Sequence, residues 1–336
     1  MRARVLVRCV FAGATLACAS SQQQVSVPLT PVQTRMHDDL SYLAGPALRG
    51  RLSGTPGNDS AAVFIARRYI DLGLPGAFNG TTCGRDECDS AYFQFFRVSP
   101  RLVELIDVVI SSRTQNVAAI VHGTDPGVKG EFVVVGAHYD HIGRSRRLAL
   151  DGALSTRPHL GADDNGSGTV AVLELARRFA QRPARRSILF ANFSAEELGL
   201  VGSNWFVKTS PIAIDSIAAM INLDMVGRLR DDKLLLFEDK GSKRFHVIAD
   251  SVDHAAPDLN LHFAWVPSHS GASDQASFSA SQIPVLGLFT DYHPDYHKES
   301  DVVDHINFSG LEKVVDFAER LVRAVADGRD RPDHEN

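Results

Sequence analysis

The chain has 336 residues, 44% of them hydrophobic, with 35 Lys and Arg against 40 Asp and Glu for a net charge of −5. That is enough apolar material for one large core, or one core with a small appendage. A mildly acidic chain without a Lys/Arg cluster carries no footprint for nucleic acid or an anionic membrane surface, and no repeat of about 20–50 residues suggests a solenoid.

At the start, Arg2, Arg4 and Arg8 precede a short apolar stretch over residues 10–17, and small residues follow. Residues 1–21 therefore read as a secretory signal peptide, too short to span a membrane. Two processing readings stand: cleavage after Ala19, or a loosely lipobox-like Thr15-Leu16-Ala17-Cys18 that leaves Cys18 as a lipidated N-terminus. Either way the protein is expected outside the cytoplasm, periplasmic or extracellular, with membrane attachment only through Cys18. Residues 22–32 read as a polar, Pro-punctuated tether, residues 33–327 as the folded domain and residues 328–336 as a frayed polar tail.

Within the domain, residues 33–44 read as a helix with Met36, Leu40 and Leu43 on one face, residues 45–57 as a loop, and residues 58–72 as a second amphipathic helix ended by Gly73. Cys83 and Cys88 lie in a polar loop, open to a local disulfide, a metal pair or free thiols. Residues 92–98 look like a strand, and residues 102–110 and 115–121 like a strand pair. Residues 132–135 form a buried strand, and residues 143–160 a loop that either shapes access to a site or is simply solvated. Val170, Leu173, Ala176 and Phe179 recur at helical spacing. The basic run 182–186 reads as a solvated loop. Residues 187–199, 217–227, 233–238 and 284–289 read as strands or strands with their exits, residues 242–254 and 311–326 as helices, and residues 263–276 as irregular chain before a short helix. Trp265 and Phe289 could line a side-chain pocket, with core packing the preferred reading for each.

Chemistry gathers where those strands end. His138, Tyr139, Asp140 and His141 follow the strand of residues 132–135, where an open α/β sheet presents its reactive groups. On extended chain His138 and Asp140 share a face, so the carboxylate can hold one imidazole nitrogen while the other meets a metal. Asp163 and Asp164 stand before Asn165-Gly166-Ser167-Gly168 at a helix start, where negative charge is favoured. Later strand ends deliver Glu196 and Glu197, then Asp224, then His293 and His297. A mixed set of imidazole nitrogens and carboxylate oxygens without thiolate suits catalytic zinc. With no cation nearby in sequence to pair both glutamates, one can ligate while the other serves as a general base.

On these motifs (GAHYDH, GADDNGSG, SAEELG, NLDMVG and YHKESD) the chain resembles the secreted di-zinc aminopeptidases, zinc exopeptidases that include bacterial leucyl aminopeptidases and glutamate carboxypeptidases. The resemblance covers most of the chain after about residue 35. It implies an α/β single domain with a mixed central β-sheet sandwiched by helices, the zinc-exopeptidase (phosphorylase/hydrolase-like) fold, with an early strand meander at one side of the sheet. It implies two Zn2+ ions per chain: His138 and Asp224 on one, Glu197 and His297 on the other, and Asp164 bridging both. Glu196 matches the general base, Asp140 the carboxylate behind His138, and Tyr296 a tyrosine that some members use to steady the tetrahedral intermediate. The expected activity is removal of N-terminal residues from peptides with a free N-terminus, by a zinc-held water that Glu196 deprotonates.

Related enzymes carry Ser-Asp-His where this chain has Ser273-Asp274-Gln275, so Asp274 keeps its place and the third position departs. His141, His254 and His305 are read as non-ligands. Among alternatives, a carboxypeptidase would need a cationic pocket, which Arg144, Arg146 and Arg147 could supply. Glutaminyl cyclases share the fold but bind one zinc and lack the first histidine, so His138 and Asp140 argue against that reading. A non-catalytic binding protein would normally have lost a ligand or the base, and none is lost here.

Overall fold

The computed structural model describes residues 28–78, 90–151, 157–238, 243–267 and 273–332. The leader and the Cys83/Cys88 pair lie outside the described residues. The apolar runs become strands β1 (Phe93–Arg97), β2 (Arg113–Val121), β3 (Phe132–His138), β4 (Ser187–Phe193), β5 (Ile217–Leu223), β6 (Lys233–Glu238), β7 (His262–Pro267) and β8 (Val285–Phe289). They form one sheet in the order β1-β2-β4-β3-β5-β8-β6-β7. The central strands β4, β3, β5 and β8 run parallel. β1 and β2 add an antiparallel meander at one edge, and β6 pairs antiparallel with β8 and parallel with β7 at the other.

Helices are α1 (Pro31–Leu43), α2 (Pro56–Asp71), α3 (Pro100–Leu105), α4 (Gly168–Gln181), α5 (Val201–Lys208), α6 (Lys243–His254), α7 (Gln275–Ser279) and α8 (Phe308–Ala326). Every residue of β4, β5 and β8 is buried, the signature of parallel strands covered on both faces. Side chains alternate accordingly: Val133, Val135 and Ala137 join the core beneath α1, α2, α4, α6 and α8, while Val134, Leu189 and Phe193 meet Phe206 of α5 and Phe278 of α7. The expected α/β domain, a mixed sheet between helical layers, is what forms.

Several local expectations are corrected. Residues 102–110 are not a strand, because Ser99 accepts the Leu102 N–H and Pro100 opens α3. The partner of β2 is β1 instead. Residues 263–276 are not irregular throughout, since β7 pairs along the whole of β6. The tether ends early: Thr30 and Gln33 form a reciprocal capping box, so α1 begins at Pro31. Arg186, placed in a solvated loop by sequence, is buried, donating to Glu131 (2.7 Å) and to the carbonyls of Val325 and Gly328. Those contacts hold the start of the tail against the domain.

Candidate metal centre

Four adjacent parallel strands deliver the site from their carboxyl ends. From β3 the chain winds to β4 on one side and then crosses to β5 on the other, so the crevice between β3 and β5 is the reversal point where α/β sheets place ligands. His138 is the last residue of β3, Asp224 follows β5, Glu196 and Glu197 follow β4, and His297 lies beyond β8. Asp164 comes from the turn that opens α4. That turn needs Gly161, whose φ is +59° and where a Cβ would fall 2.2 Å from the Asp164 carbonyl oxygen.

The donors form two groups. His138 Nε2 is 3.4 Å from Asp164 Oδ1 and 3.4 Å from Asp224 Oδ1, with Glu196 alongside. His297 Nε2 is 3.2 Å from Asp164 Oδ2 and 3.2 Å from Glu197 Oε2. Asp164 thus turns one oxygen to each group. His141, set aside by the sequence reading, belongs to the second group: its Nδ1 is 2.9 Å from Glu197 Oε1 and 3.6 Å from Asp164 Oδ2. His254 and His305 lie outside both groups. His293, on the same loop as His297, instead packs against Asp163 at 3.1 Å.

Asp140 does more than expected. The closest partner of His138 Nδ1 is its backbone carbonyl at 3.2 Å, and its carboxylate oxygen lies at 3.7 Å. The carboxylate accepts the Glu196 N–H (3.2 Å) and the Ser53 hydroxyl (3.0 Å), linking the ends of β3 and β4. Asp301 accepts the N–H groups of Asp163 and Asp164 and so holds the bridging turn. Below lies Arg51, fully buried, donating to the carbonyls of Leu43, Tyr139, Leu160 and Gly161 at 2.6–2.8 Å. Sequence reasoning missed Arg51, because its partners are backbone carbonyls, which leave no motif.

The electrostatics favour a dication. Burial alone would lower the pKa of His138, yet Glu196 and Asp224 raise it well above the usual value. His297 is pushed up to about 11: burial opposes, but Asp164 and Glu197 prevail. Burial drives Glu196 well above the carboxylate range; the charge of His138 opposes, while Glu197, Asp274 and Asp224 reinforce it. Burial likewise raises Asp274 to about 7. His297 Nε2 and Asp224 Oδ1 are buried without a hydrogen-bond partner. Orphaned donor atoms converging among excess carboxylates are what zinc ligands look like without their ion, so the residues fit the group.

The cleft above is lined by Met225, Phe237, Phe289, Tyr292 and Tyr296, with Asn222 and Gln275 deeper in. Phe289 is therefore a cleft wall as well as a buried residue, whereas Trp265 stacks on His246. Tyr296 stacks on the His297 ring, centroids 4.0 Å apart. Phe237 and Tyr292 carried no sequence signal beyond strand and loop residues of ordinary type.

The description of peptidase family M28 matches residues 116–322, well over half the chain. The chain belongs to peptidase family M28. Leucine aminopeptidase 1 of Arthroderma otae is 28% identical over 225 residues, which cover 60% of this M28 chain and 57% of that relative. The chain spans little more than half the length of the leading curated relatives it matches, and less of some. Among solved structures, the zinc aminopeptidase BSAP of Bacillus subtilis superposes with a TM-score of 0.65 at 19% identity, covering 90% of this chain and 97% of that one. Porphyromonas gingivalis glutaminyl cyclase gives a TM-score of 0.65 at 19% identity, covering 87% and 96%. At such identities these two likenesses concern the M28 fold alone.

Proposed function

We propose that this M28 chain is a zinc-dependent aminopeptidase that removes N-terminal residues from peptides with a free N-terminus. The observation that carries this is Asp164 turning one carboxylate oxygen to His138 and the other to His297, with Glu196 beside the first group. In this reading His138, Asp164 and Asp224 hold one Zn2+, and Asp164, Glu197 and His297 the other. Bound there, two zinc ions would acidify a water and polarise the scissile carbonyl.

The chain's own residues do the rest. Glu196 accepts the proton of the attacking water and returns it to the leaving amine. Asp140 fixes Glu196 by accepting its N–H. The Tyr296 hydroxyl, on a ring held against His297, is the donor for the developing oxyanion. Met225, Phe237 and Phe289 offer an apolar wall for the side chain of the departing residue. The free amine is received among the carboxylates gathered at the site, Asp224 among them.

Export follows from residues 1–21, with release after Ala19 or anchorage through Cys18. No helix among the described residues is long and apolar enough to cross a membrane. Intact mass of the exported protein separates the two, since acylation at Cys18 adds mass that cleavage does not.

The test of activity is hydrolysis of aminoacyl-nitroanilides with and without chelator, followed by zinc add-back. Chelator-sensitive release from free-amine substrates is the expected result. Silence on all of them, with metal still bound, rejects the aminopeptidase, and conversion of N-terminal glutamine to pyroglutamate would point to a cyclase instead.

A further inference from the structure

Residues 143–151 leave the site after β3 and residues 157–160 return just before Asp164, and the ends of this excursion are closed. Gly143 and His159 bridge antiparallel: the His159 N–H donates to the Gly143 carbonyl at 2.7 Å, and the ring Nδ1 lies 2.9 Å from the same oxygen. The stem is seated without slack on the turn before α2. Gly50 has φ +80°, and a Cβ there would fall 1.9 Å from the His159 carbonyl oxygen.

From this stem the excursion reaches across to the segment that carries His297. The Leu150 N–H donates to the His297 carbonyl (2.9 Å), and His297 Nδ1–H donates to the Leu148 carbonyl (2.7 Å). The second bond leaves Nε2 free to face Asp164 and Glu197, the tautomer a metal requires. Asp151 joins the two segments: one carboxylate oxygen accepts the Glu299 N–H (2.9 Å), and the other lies 3.0 Å from Nε2 of buried His159. The Glu299 carboxylate in turn accepts the N–H and Nε–H of Arg157. His297 itself has φ +53°, a region that side-chain-bearing residues seldom occupy unless their surroundings hold them there. His138 is held differently: its Nδ1 meets the Asp140 carbonyl two residues along its own segment, and its carbonyl accepts the Thr169 hydroxyl at 2.9 Å.

We infer that Asp151 is a positioning residue for the metal site of Asp164, Glu197 and His297, fastening residues 148–151 and His159 to the segment that presents His297. The excursion is then a clamp on a ligand, beyond any part it plays in substrate access. The inference rests on the reading of His297 as a ligand, and the two are tested separately.

Metal content at buffered free zinc is measured for the wild type, Asp151→Ala and Asp151→Asn, with the thermal melt of each metal-free protein as a fold control. Asp151→Ala is expected to weaken one of the two sites about 10–100-fold and leave the other at wild-type affinity. Asp151→Asn keeps one acceptor oxygen and is expected to fall between. Unchanged affinity at both sites, or equal loss at both, overturns the clamp. If the alanine variant does not fold, the near-isosteric asparagine variant decides by the same criterion. His297→Ala retaining both metals would overturn the ligand reading and the clamp together, a result that does not involve Asp151.

Discussion

Glu196 and Glu197 are chain neighbours with different surroundings: Glu197 faces His141 and His297, while Glu196 sits with His138 and Asp224. Replacing Glu196 by alanine should therefore cut kcat by about 10²–10⁴, the usual worth of a general acid–base group, with zinc content unchanged by elemental analysis. Near-normal turnover would remove it from that role. Asp164→Ala should cost both metals, since one side chain faces both groups; retention of one would argue against bridging. The five residues expected as ligands were legible because His138 ends a buried strand, Glu197 and Asp224 come soon after one, Asp164 precedes an amphipathic helix, and His297 lies in the loop after β8. His141 was not. Alternation along extended chain places it on the opposite face from His138, but β3 ends at His138, the chain turns, and the alternation no longer holds. Gln275, in place of the histidine of related enzymes, accepts from Asn222 at 2.8 Å, so the departure lands in a cleft-lining hydrogen bond.

At the scale of elements, the long buried strands and α4 announced themselves by composition and spacing, and the errors fell where an apolar run is short. Leu102, Val103, Ile106 and Ile110 pack on the cluster of Phe96 and Val98 from α3 and the chain after it, partly burying their apolar side chains. Periodicity cannot separate those cases over so few residues; the Ser99-Pro100 start could have. Arg186 misled for a different reason, because a guanidinium reads as solvent-seeking until carbonyls and Glu131 surround it. The same physics makes Arg51 the support most sensitive to loss. Burial lowers its pKa to about 10, which leaves it charged at neutral pH. Arg51→Met would strip this donor from four carbonyls, of which Gly161 keeps the Gly166 N–H at 3.3 Å, at about 1–3 kcal/mol for each left without a partner. The expected outcome is a loss of roughly 3 kcal/mol or more in urea unfolding, with zinc binding weakened alongside; a change under 1 kcal/mol would refute that support role.

Across the whole molecule, the proposed metal donors are spread from His138 to His297, and only the folded sheet brings four strand ends together. Zinc should therefore bind the native state alone and stabilise it by about 2.7 kcal/mol per site at a hundredfold excess over Kd. Chelation is expected to lower Tm by several degrees, read by calorimetry; an unchanged Tm would mean the ions, if bound, do not distinguish folded from unfolded chain. The guanidinium beneath the site has one more implication. The region recognisable as family M28 begins at residue 116, whereas Arg51, Ser53 and Gly50 all precede it. Ancestry and autonomy thus have different boundaries here. A fragment cut to residues 116–322 would contain every residue proposed as ligand or base, yet lack β1, α1, α2 and the Arg51 charge beneath them. Such a fragment should neither fold nor regain zinc binding, unless the missing N-terminal segment is supplied in trans.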